Sequence, residues 1–424
     1  MVILFVHNYY QQEGGEDAGV RQERDLLAAA GHRIVEYSRC SGEIALNGIS
    51  SRIKLGAGAL WSSRTHSELR SLIAKERPEV AYIHNTVPLI SPSAYFACAE
   101  AGVPVIQTLH NYRFLCPAGT FLRQGQICEE CVTSTLFRSV WHSCYRDSAS
   151  ASATLALMLA SQRALGTWQG KVACYIARTE FARKKFIEGG LPAERIVVKP
   201  CFVNPDPGPR TGSGDTVLFL GRLSPEKGLR SLIAAWEHLG GNVPRRIGGG
   251  APLRIGGNVP LRIAGDGPLR EELEAEVERR GMAGVKVLGR VPEADLLAEM
   301  KRARFLVFPS EWYEGLPLTI TEAFACGVPV VASRIGSMIE LVEDGRTGLH
   351  FNPNDPADMA AKVEWAWSHP REMEEMGRAA RGEYETKYTP EINYMRLMEI
   401  CQRATGTGNG TNGARAAAAD ARGD

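Results

Sequence analysis

The chain has 424 residues, of which 44% are hydrophobic and 23% are charged, and its formal net charge is +1. This length exceeds one typical core and indicates two domains. The composition is that of a soluble globular protein, and the near-zero charge argues against a nucleic-acid or acidic-lipid partner on bulk electrostatics.

The N-terminal segment MVILFVHN has neither a preceding basic region nor a small-residue cleavage site, so it predicts a first β-strand rather than a signal peptide. The longest apolar run, 151–165, contains Arg163 and is shorter than the roughly 20 residues of a membrane span. We therefore expect a cytoplasmic protein whose ten cysteines are thiols or metal ligands.

Six short apolar runs in the first half predict strands that are buried on both faces of a parallel sheet. Helical patterns such as 17–31 and 67–78 separate them, and this alternation indicates a doubly wound α/β layer. The predicted strands are residues 2–8, 32–38, 80–85, 104–110, 173–179 and 195–200.

A segment rich in Pro, Gly and polar residues, 202–215, predicts a linker, after which the alternation restarts. Two consecutive doubly wound units predict a cleft between Rossmann-like domains, with ligands outside the carboxyl ends of the strands. The predicted strands of the second unit are residues 216–221, 261–265, 285–289, 305–309, 329–333 and 347–351.

One internal repeat lies in the second unit, where 240–255 and 256–271 are identical at eleven of sixteen aligned positions. Two short copies are too few for a solenoid, so we interpret them as a local duplication. The second copy should supply the strand and the AGDGPL turn, and the first should be a surface loop. The low-complexity tail, 404–424, is expected to be disordered.

The stretch EWYEGLPLTITEAF follows a predicted strand and predicts a helix with Pro317 as its first residue. The amides of Leu318 and Thr319 would then form a phosphate-binding site at the helix N-terminus. Glu314 and Glu322 flank this site, and a carboxylate there can accept hydrogen bonds from the vicinal hydroxyls of a sugar or ribose. The alternative is that both glutamates complement the helix dipole.

A second motif, FLGRLSPEKGLRSLI, predicts a strand, a turn beginning at Gly221, and a helix. Arg222 offers a planar fork and Lys227 a point charge, which together could hold a diphosphate. The Walker pattern is absent from the sequence. The alternative is a surface turn that carries two ordinary basic residues.

The first domain offers weaker candidates. Gly14 and Gly15 follow the first strand and would let backbone amides approach a phosphate or sugar. His110 ends a predicted strand and could contact sugar hydroxyls or share a proton. His84 occupies a similar position and is the alternative candidate for this role. Either histidine could instead be structural.

Four cysteines occur in one long loop, 111–148, and two of them form a CxxC pair. A structural zinc site is one interpretation, and free thiols are the alternative. The sequence has no Asp-x-Asp pair for a magnesium-bound nucleotide and no set that suggests a catalytic metal. The four cysteines are Cys116, Cys128, Cys131 and Cys144.

Together these motifs resemble the retaining GT-B glycosyltransferases of the family 4-like group, whose E-x7-E motif is matched here by EGLPLTITE. GRLSPEKG and AGDGPL are similar to the diphosphate-binding and glycine-rich turns of that group. The similarity covers residues 1 to about 402 and departs at the duplication. It implies an acceptor-side domain over 1–204, a nucleotide-sugar domain over 205–388 and a helix over 389–403 that crosses back to the first domain.

The resemblance implies a role for each motif residue of the second domain. Glu322 would bind the ribose and Glu314 the donor sugar, and Val291 would lie near the base. The groups that would contact the diphosphate are Arg222, Lys227 and the Leu318 and Thr319 amides, beside Gly221.

The implied reaction is the transfer of a sugar, with retained configuration, from a nucleotide diphosphate-sugar to a carbohydrate or lipid-linked acceptor in polysaccharide or glycolipid assembly. Gly14, Gly15 and His110 would close the site from the first domain. Front-face attack, with the leaving phosphate taking the acceptor proton, is the usual explanation in that family. A peripheral membrane contact would accompany a lipid-linked acceptor. The alternatives are a nucleotide-sugar 2-epimerase of the same fold and a catalytically silent GT-B binding subunit.

Overall fold

The computed structural model describes residues 1–11, 14–44, 48–240 and 259–406. The sequence predicts a surface loop for the first copy of the duplication, 240–255, and disorder for the tail, 404–424. Residues 241–255 and 407–424 lie outside the described residues. At the start of the tail the prediction is wrong, because α17 continues to Thr405.

The strands correspond closely to the sequence prediction, and a small hairpin in the cysteine-containing loop is added to them. They are β1 (Val2–Tyr9), β2 (Arg33–Cys40), β3 (Val80–Asn85), β4 (Val105–Leu109), β5 (Leu122–Arg123), β6 (Gln126–Ile127), β7 (Cys174–Ala177), β8 (Ile196–Val198), β9 (Thr216–Leu220), β10 (Leu261–Ala264), β11 (Val285–Gly289), β12 (Ala303–Phe308), β13 (Val330–Ser333) and β14 (Gly348–Phe351).

The helices intervene between these strands as the alternation predicts. They are α1 (Gly15–Ala29), α2 (Ile49–Leu60), α3 (Ser63–Glu76), α4 (Ser93–Glu100), α5 (Glu130–Thr133), α6 (Arg138–Trp141), α7 (Ala149–Ala164), α8 (Thr167–Gly170), α9 (Glu180–Glu188), α10 (Leu229–Gly240), α11 (Arg270–Arg279), α12 (Glu293–Arg302), α13 (Leu318–Ala325), α14 (Met338–Leu341), α15 (Pro356–Ser368), α16 (Pro370–Lys387) and α17 (Pro390–Thr405). No helix in the described ranges is long and apolar enough to span a membrane.

Two parallel six-stranded sheets form the layers of the fold, in the orders β2-β1-β3-β4-β7-β8 and β11-β10-β9-β12-β13-β14. In the first sheet Ile3 on β1 pairs with Ile34 on one side and Val80 on the other. The central strands are buried on both faces, which is why they appear as continuous apolar runs in the sequence. The predicted pair of Rossmann-like domains is confirmed.

The last helix, α17, returns to the first domain after the chain has completed the second sheet. Its Tyr394 hydroxyl lies 2.9 Å from Nε2 of His32, and the Asn393 side chain accepts a hydrogen bond from the buried Lys199 ammonium. Leu397 belongs to the core on one face of the first sheet. The predicted crossover helix is therefore present, and the predicted domain boundaries remain predictions.

Candidate active site

Lys227 and Glu314 meet at the carboxyl edge of the second sheet. Lys227 lies in the turn after β9, and Glu314 lies between β12 and α13, yet Nζ and Oε1 are 2.6 Å apart. Glu314 is 6% exposed, and its Oε1 also accepts a hydrogen bond of 2.7 Å from the Ser310 hydroxyl. The sequence predicted both residues, and the structure brings them into direct contact.

A glycine fixes the position of the Lys227 turn. Gly228 has a φ of +69°, and a Cβ atom placed on it would overlap the carbonyl oxygen of Pro309. Only glycine allows this backbone approach. The same turn is joined to the segment after β12 by the Glu311 N–H, which donates to the carbonyl oxygen of Glu226 at 2.9 Å. This close packing of two backbones keeps the Lys227 ammonium within reach of the carboxylate that follows β12.

Helix α13 starts one residue later than the sequence predicts. Pro317 is its N-cap, and Leu318 is its first helical residue. The prediction of Pro317 as first helical residue is therefore wrong, because its ψ of 113° is extended rather than helical. The N–H groups of Leu318 and Thr319 still belong to the first turn, where a helix offers them no internal partner. Glu322 lies one turn further along, half-buried.

The two glycine-containing turns of the second domain pack against each other. Gly265 has a φ of +142°, and a Cβ atom there would overlap the carbonyl oxygen of Gly221. The AGDGPL turn thus supports the strand end that carries Arg222, which is exposed. Val291 follows β11 and packs against the core cluster that contains Leu306. The structure places these predicted residues at one edge of the second sheet.

The first domain approaches this edge at two glycines, Gly15 and Gly315. A Cβ atom on Gly15 would lie 3.6 Å from Cδ1 of Leu318, and one on Gly315 would lie 2.9 Å from the carbonyl oxygen of His110. Gly14 is the N-cap of α1, beside Gly15. The predicted residues Gly15 and His110 therefore approach the segment that leads into α13, whereas nothing lies within 4 Å of a Cβ atom placed on Gly14.

His84 and His110, which the sequence offered as alternative candidates for the site histidine, are hydrogen-bonded to each other. His84 Nδ1 and His110 Nε2 are 2.9 Å apart. Burial lowers the pKa of His110 well below its usual value, and the positive charge of Arg178 lowers it further. Burial also lowers the pKa of His84. Both imidazoles are therefore neutral near pH 7, and each has one nitrogen that donates and one that accepts a hydrogen bond.

An acidic residue that sequence reasoning missed lies beside the glycine pair. Glu16 Oε2 accepts hydrogen bonds from the Tyr10 hydroxyl at 3.1 Å and the Asn111 amide at 3.2 Å. Burial raises the pKa of the Glu16 carboxyl. Its position in EGGED was visible in the sequence, but no local pattern indicated its partners.

Three further contacts join the domains across the cleft. The Tyr112 hydroxyl donates to the carbonyl oxygen of Glu314 at 3.3 Å, and the Thr179 hydroxyl donates to that of Gly315 at 3.3 Å. The Glu340 carboxylate accepts the first two N–H groups of α9, at 2.8 and 2.7 Å. These contacts were not predicted, since the residues that form each one are more than 130 positions apart in the chain.

Two protein-family models match the sequence of this chain. The model for "Glycosyltransferase Family 4" matches residues 14–207, and that for "Glycosyl transferases group 1" matches residues 206–383. The two matches meet between β8 and β9, and together they span both sheets.

Curated relatives are similar over part of their length. D-rhamnosyltransferase WbpZ of Pseudomonas aeruginosa is 34% identical over 120 residues, which are 28% of this chain and 32% of the relative. Glycogen synthase of Mycobacterium tuberculosis is 36% identical over 173 residues, 41% of this chain and 38% of the relative. The chain thus spans about a third of the length of these relatives.

Solved structures share the whole fold. HepE of Anabaena, in complex with UDP, has a TM-score of 0.64 at 18% identity, with 94% of this chain and 99% of that chain covered. Sucrose-phosphate synthase of Thermosynechococcus elongatus has a TM-score of 0.68 at 17% identity, with 96% and 100% covered. With both sheets and both family matches in agreement, this chain belongs to the GT-B glycosyltransferases of the family 4-like group.

Proposed function

We propose that this protein transfers a glycosyl group from a nucleotide diphosphate-sugar to an acceptor hydroxyl, with retained configuration, in polysaccharide or glycolipid assembly. The observation that carries the proposal is the contact between Lys227 and Glu314 beside the start of α13. A cation and a carboxylate at one helix entrance suit a ligand that carries both phosphate and hydroxyl groups.

The leaving diphosphate would be neutralised by protein charges. Arg222, Lys227 and the N-terminus of α13 supply positive potential where negative charge develops in the transition state. Gly221, which has no side chain, directly precedes Arg222. We therefore expect no requirement for a catalytic metal, so that activity should not depend on added magnesium or manganese ions.

The two glutamates would bind hydroxyl groups on either side of the diphosphate. Glu314 would hold the donor sugar, with Ser310 and Lys227 fixing its carboxylate. Glu322, one turn into α13, would hold the ribose, and Val291 would lie near the base. Because an ionised carboxylate accepts hydrogen bonds without donating any, both positions favour hydroxyl donors.

The first domain would present the acceptor. His110, which is neutral and paired with His84, can exchange hydrogen bonds with sugar hydroxyls without adding charge to the site. Gly14 and Gly15 would allow close approach of the donor to α1. Front-face attack, with the leaving phosphate taking the acceptor proton, would leave Glu314 a positioning role.

The names of similar proteins support the substrate classes. HepE, which shares the fold, was solved with UDP-glucose, which supports a nucleotide-sugar donor. A partial relative, 28% identical over 240 residues, is O-antigen chain mannosyltransferase B of Escherichia coli. A carbohydrate or lipid-linked acceptor is consistent with that name, and we propose a cytoplasmic protein with peripheral membrane contact.

A thermal-shift screen of UDP-, GDP- and ADP-sugars tests the donor directly. One nucleotide class should raise the melting temperature in a concentration-dependent way, since a ligand that binds only the folded state stabilises it. The absence of a shift with all three, together with no sugar-nucleotide turnover, would overturn the proposal.

Product analysis then distinguishes the alternatives. Conversion of the donor sugar to its 2-epimer without acceptor would indicate an epimerase instead. Binding without any turnover or hydrolysis would indicate a silent binding subunit. Anomeric analysis of a transferred sugar by NMR would establish whether configuration is retained.

A further inference from the structure

A cluster of buried charged groups lies beneath the histidine pair of the first domain. The Tyr82 ring packs against the His84 imidazole with centroids 4.3 Å apart, and the Tyr82 hydroxyl donates to Oε2 of Glu23 at 2.6 Å. Oε1 of Glu23 accepts hydrogen bonds from Nη1 of Arg178 at 2.8 Å and from Nζ of Lys199 at 2.7 Å. All of these side chains are buried, so solvent ions screen their charges only weakly.

The parallel register of the first sheet places this cluster next to His110. Leu109 on β4 pairs with Ala177 on β7, so His110 and Arg178 follow at the ends of neighbouring strands. Nε and Nη2 of Arg178 are buried and have no hydrogen-bond partner among the described residues. Arg178 and Lys199 thus share one carboxylate, and the net charge of the cluster is positive.

The hydrogen bond between the two imidazoles can run in either direction. Nδ1 of His84 and Nε2 of His110 are 2.9 Å apart, and each neutral imidazole has one N–H and one lone pair. If His84 donates, its Nε2 carries a lone pair and the hydrogen of His110 lies on Nδ1. If His110 donates, the hydrogen of His84 lies on Nε2 and Nδ1 of His110 carries the lone pair.

The surroundings of Nε2 of His84 favour the direction in which His84 donates. This nitrogen is buried and has no hydrogen-bond partner in the part of the chain that the structure describes. The carboxylate on the β1 side, that of Asp17, is paired with His7 at 2.8 Å. The positive cluster repels an N–H hydrogen at Nε2 and attracts a lone pair there. The hydrogen of His84 therefore lies on Nδ1.

We propose that His84 is a positioning residue that fixes His110 as a hydrogen-bond donor toward the cleft. The lone pair on Nε2 of His110 is taken by His84, so the hydrogen of His110 lies on Nδ1, which makes no hydrogen bond to a residue within the described ranges. His110 is half-buried, whereas His84 is buried. Nδ1 of His110 donates to a ligand oxygen, of a hydroxyl or a phosphate, and this choice of ligand rests on the proposed glycosyl transfer.

The same arrangement prevents His110 from acting as a base. In the proposed transfer, the bond between the anomeric carbon and the leaving phosphate oxygen breaks, and a bond forms between that carbon and the acceptor oxygen. The electron pair of the broken bond stays on the phosphate, which takes the acceptor proton. His110 has no lone pair left for that proton, so of the two roles that the sequence left open it contacts hydroxyl groups and shares no proton.

Nitrogen-15 NMR of the histidine side chains in the full-length, ligand-free protein tests the inference. Protonated and unprotonated ring nitrogens differ in chemical shift, so the spectrum reports the position of the hydrogen in each imidazole. We expect His110 at about pH 7 to be protonated on Nδ1 and unprotonated on Nε2. The signals are assigned by their loss in His110→Gln, and the spectrum of the unmodified protein does not depend on the folding of a variant.

Two variants of His84 separate the hydrogen bond from the packing. His84→Phe keeps an aromatic ring but removes the donor, so His110 should lose its single protonated form, and turnover of the sugar nucleotide should fall roughly three- to tenfold. His84→Asn provides an amide N–H near the position of Nδ1 and should restore both. His238→Gln, at an exposed site, should change neither.

Two results would overturn the inference: a His110 that is protonated on Nε2 in the unmodified protein, or a His110 spectrum that is unchanged in folded His84→Phe. A merely structural role for His84 would lower stability without moving the hydrogen of His110. The NMR measurement uses no donor or acceptor, so its failure is distinguishable from failure of the proposed transfer, which appears as absent nucleotide binding and turnover.

Discussion

The two sides of the cleft differ in charge and in burial. The second-domain side presents Lys227, Arg222 and Glu314 at strand and helix ends, as charged groups. The first-domain side presents His110, which is paired with the buried His84, and burial lowers the pKa values of both imidazoles so that they are neutral. A charged side suits a nucleotide diphosphate, and a neutral side suits hydroxyl groups.

The largest expected effect concerns the charged side. Lys227→Ala should lower kcat by about 10²-fold or more, because it removes positive charge from the position of the leaving group. Steady-state kinetics with the donor identified by thermal shift would measure this. Lys286→Ala, which removes an exposed lysine from β11, is the matched control. Near-normal turnover in Lys227→Ala would contradict a catalytic role for the charged side of the cleft.

The second effect separates binding from catalysis on the same side. Glu322→Ala should weaken nucleotide binding by about tenfold or more, since a hydrogen bond to a charged group contributes roughly 1.5–3 kcal/mol. Calorimetry with the nucleotide diphosphate measures it, and Glu278→Ala on the exposed face of α11 is the control. Unchanged affinity would contradict the assignment of Glu322 to the ribose.

The third effect probes the neutral side through pH. The folded state keeps His84 and His110 unprotonated, whereas the unfolded chain takes up protons below about pH 6.5. The free energy of unfolding should therefore fall as pH drops below about 6.5, by about 1.4 kcal/mol per pH unit for each histidine. Denaturant unfolding of His84→Gln should show a shallower pH dependence than the unchanged protein, and unfolding of the exposed-site variant His238→Gln should not. An identical slope in His84→Gln would contradict a neutral buried pair.

The smallest effect concerns the contact that joins the sides. Glu340→Ala removes an acceptor from the first N–H groups of α9, and loss of such a cap costs about 1 kcal/mol. Thermal unfolding would detect the loss, with Glu375→Ala on the exposed face of α16 as the control. No change would indicate that the domains do not depend on this contact.

The sequence predicted the sheets well because every central strand is a continuous apolar run bounded by polar or turn residues. It also predicted the charged side, since Arg222, Lys227, Glu314 and Glu322 follow strands within recognisable motifs. It could not predict that Lys227 contacts Glu314, because 87 residues separate them in the chain. For the same reason the sequence indicated His84 and His110 as alternatives. Their imidazoles, 26 residues apart in the chain, are hydrogen-bonded to each other.

The pairing of Lys227 with Glu314 has a consequence for turnover. An ammonium has three N–H donors, so Lys227 can hold the Glu314 carboxylate and a phosphate oxygen at the same time. The carboxylate nevertheless offsets part of the positive potential that the ammonium offers to the diphosphate. The same contact that organises the site therefore also weakens the hold on the product diphosphate and assists its release.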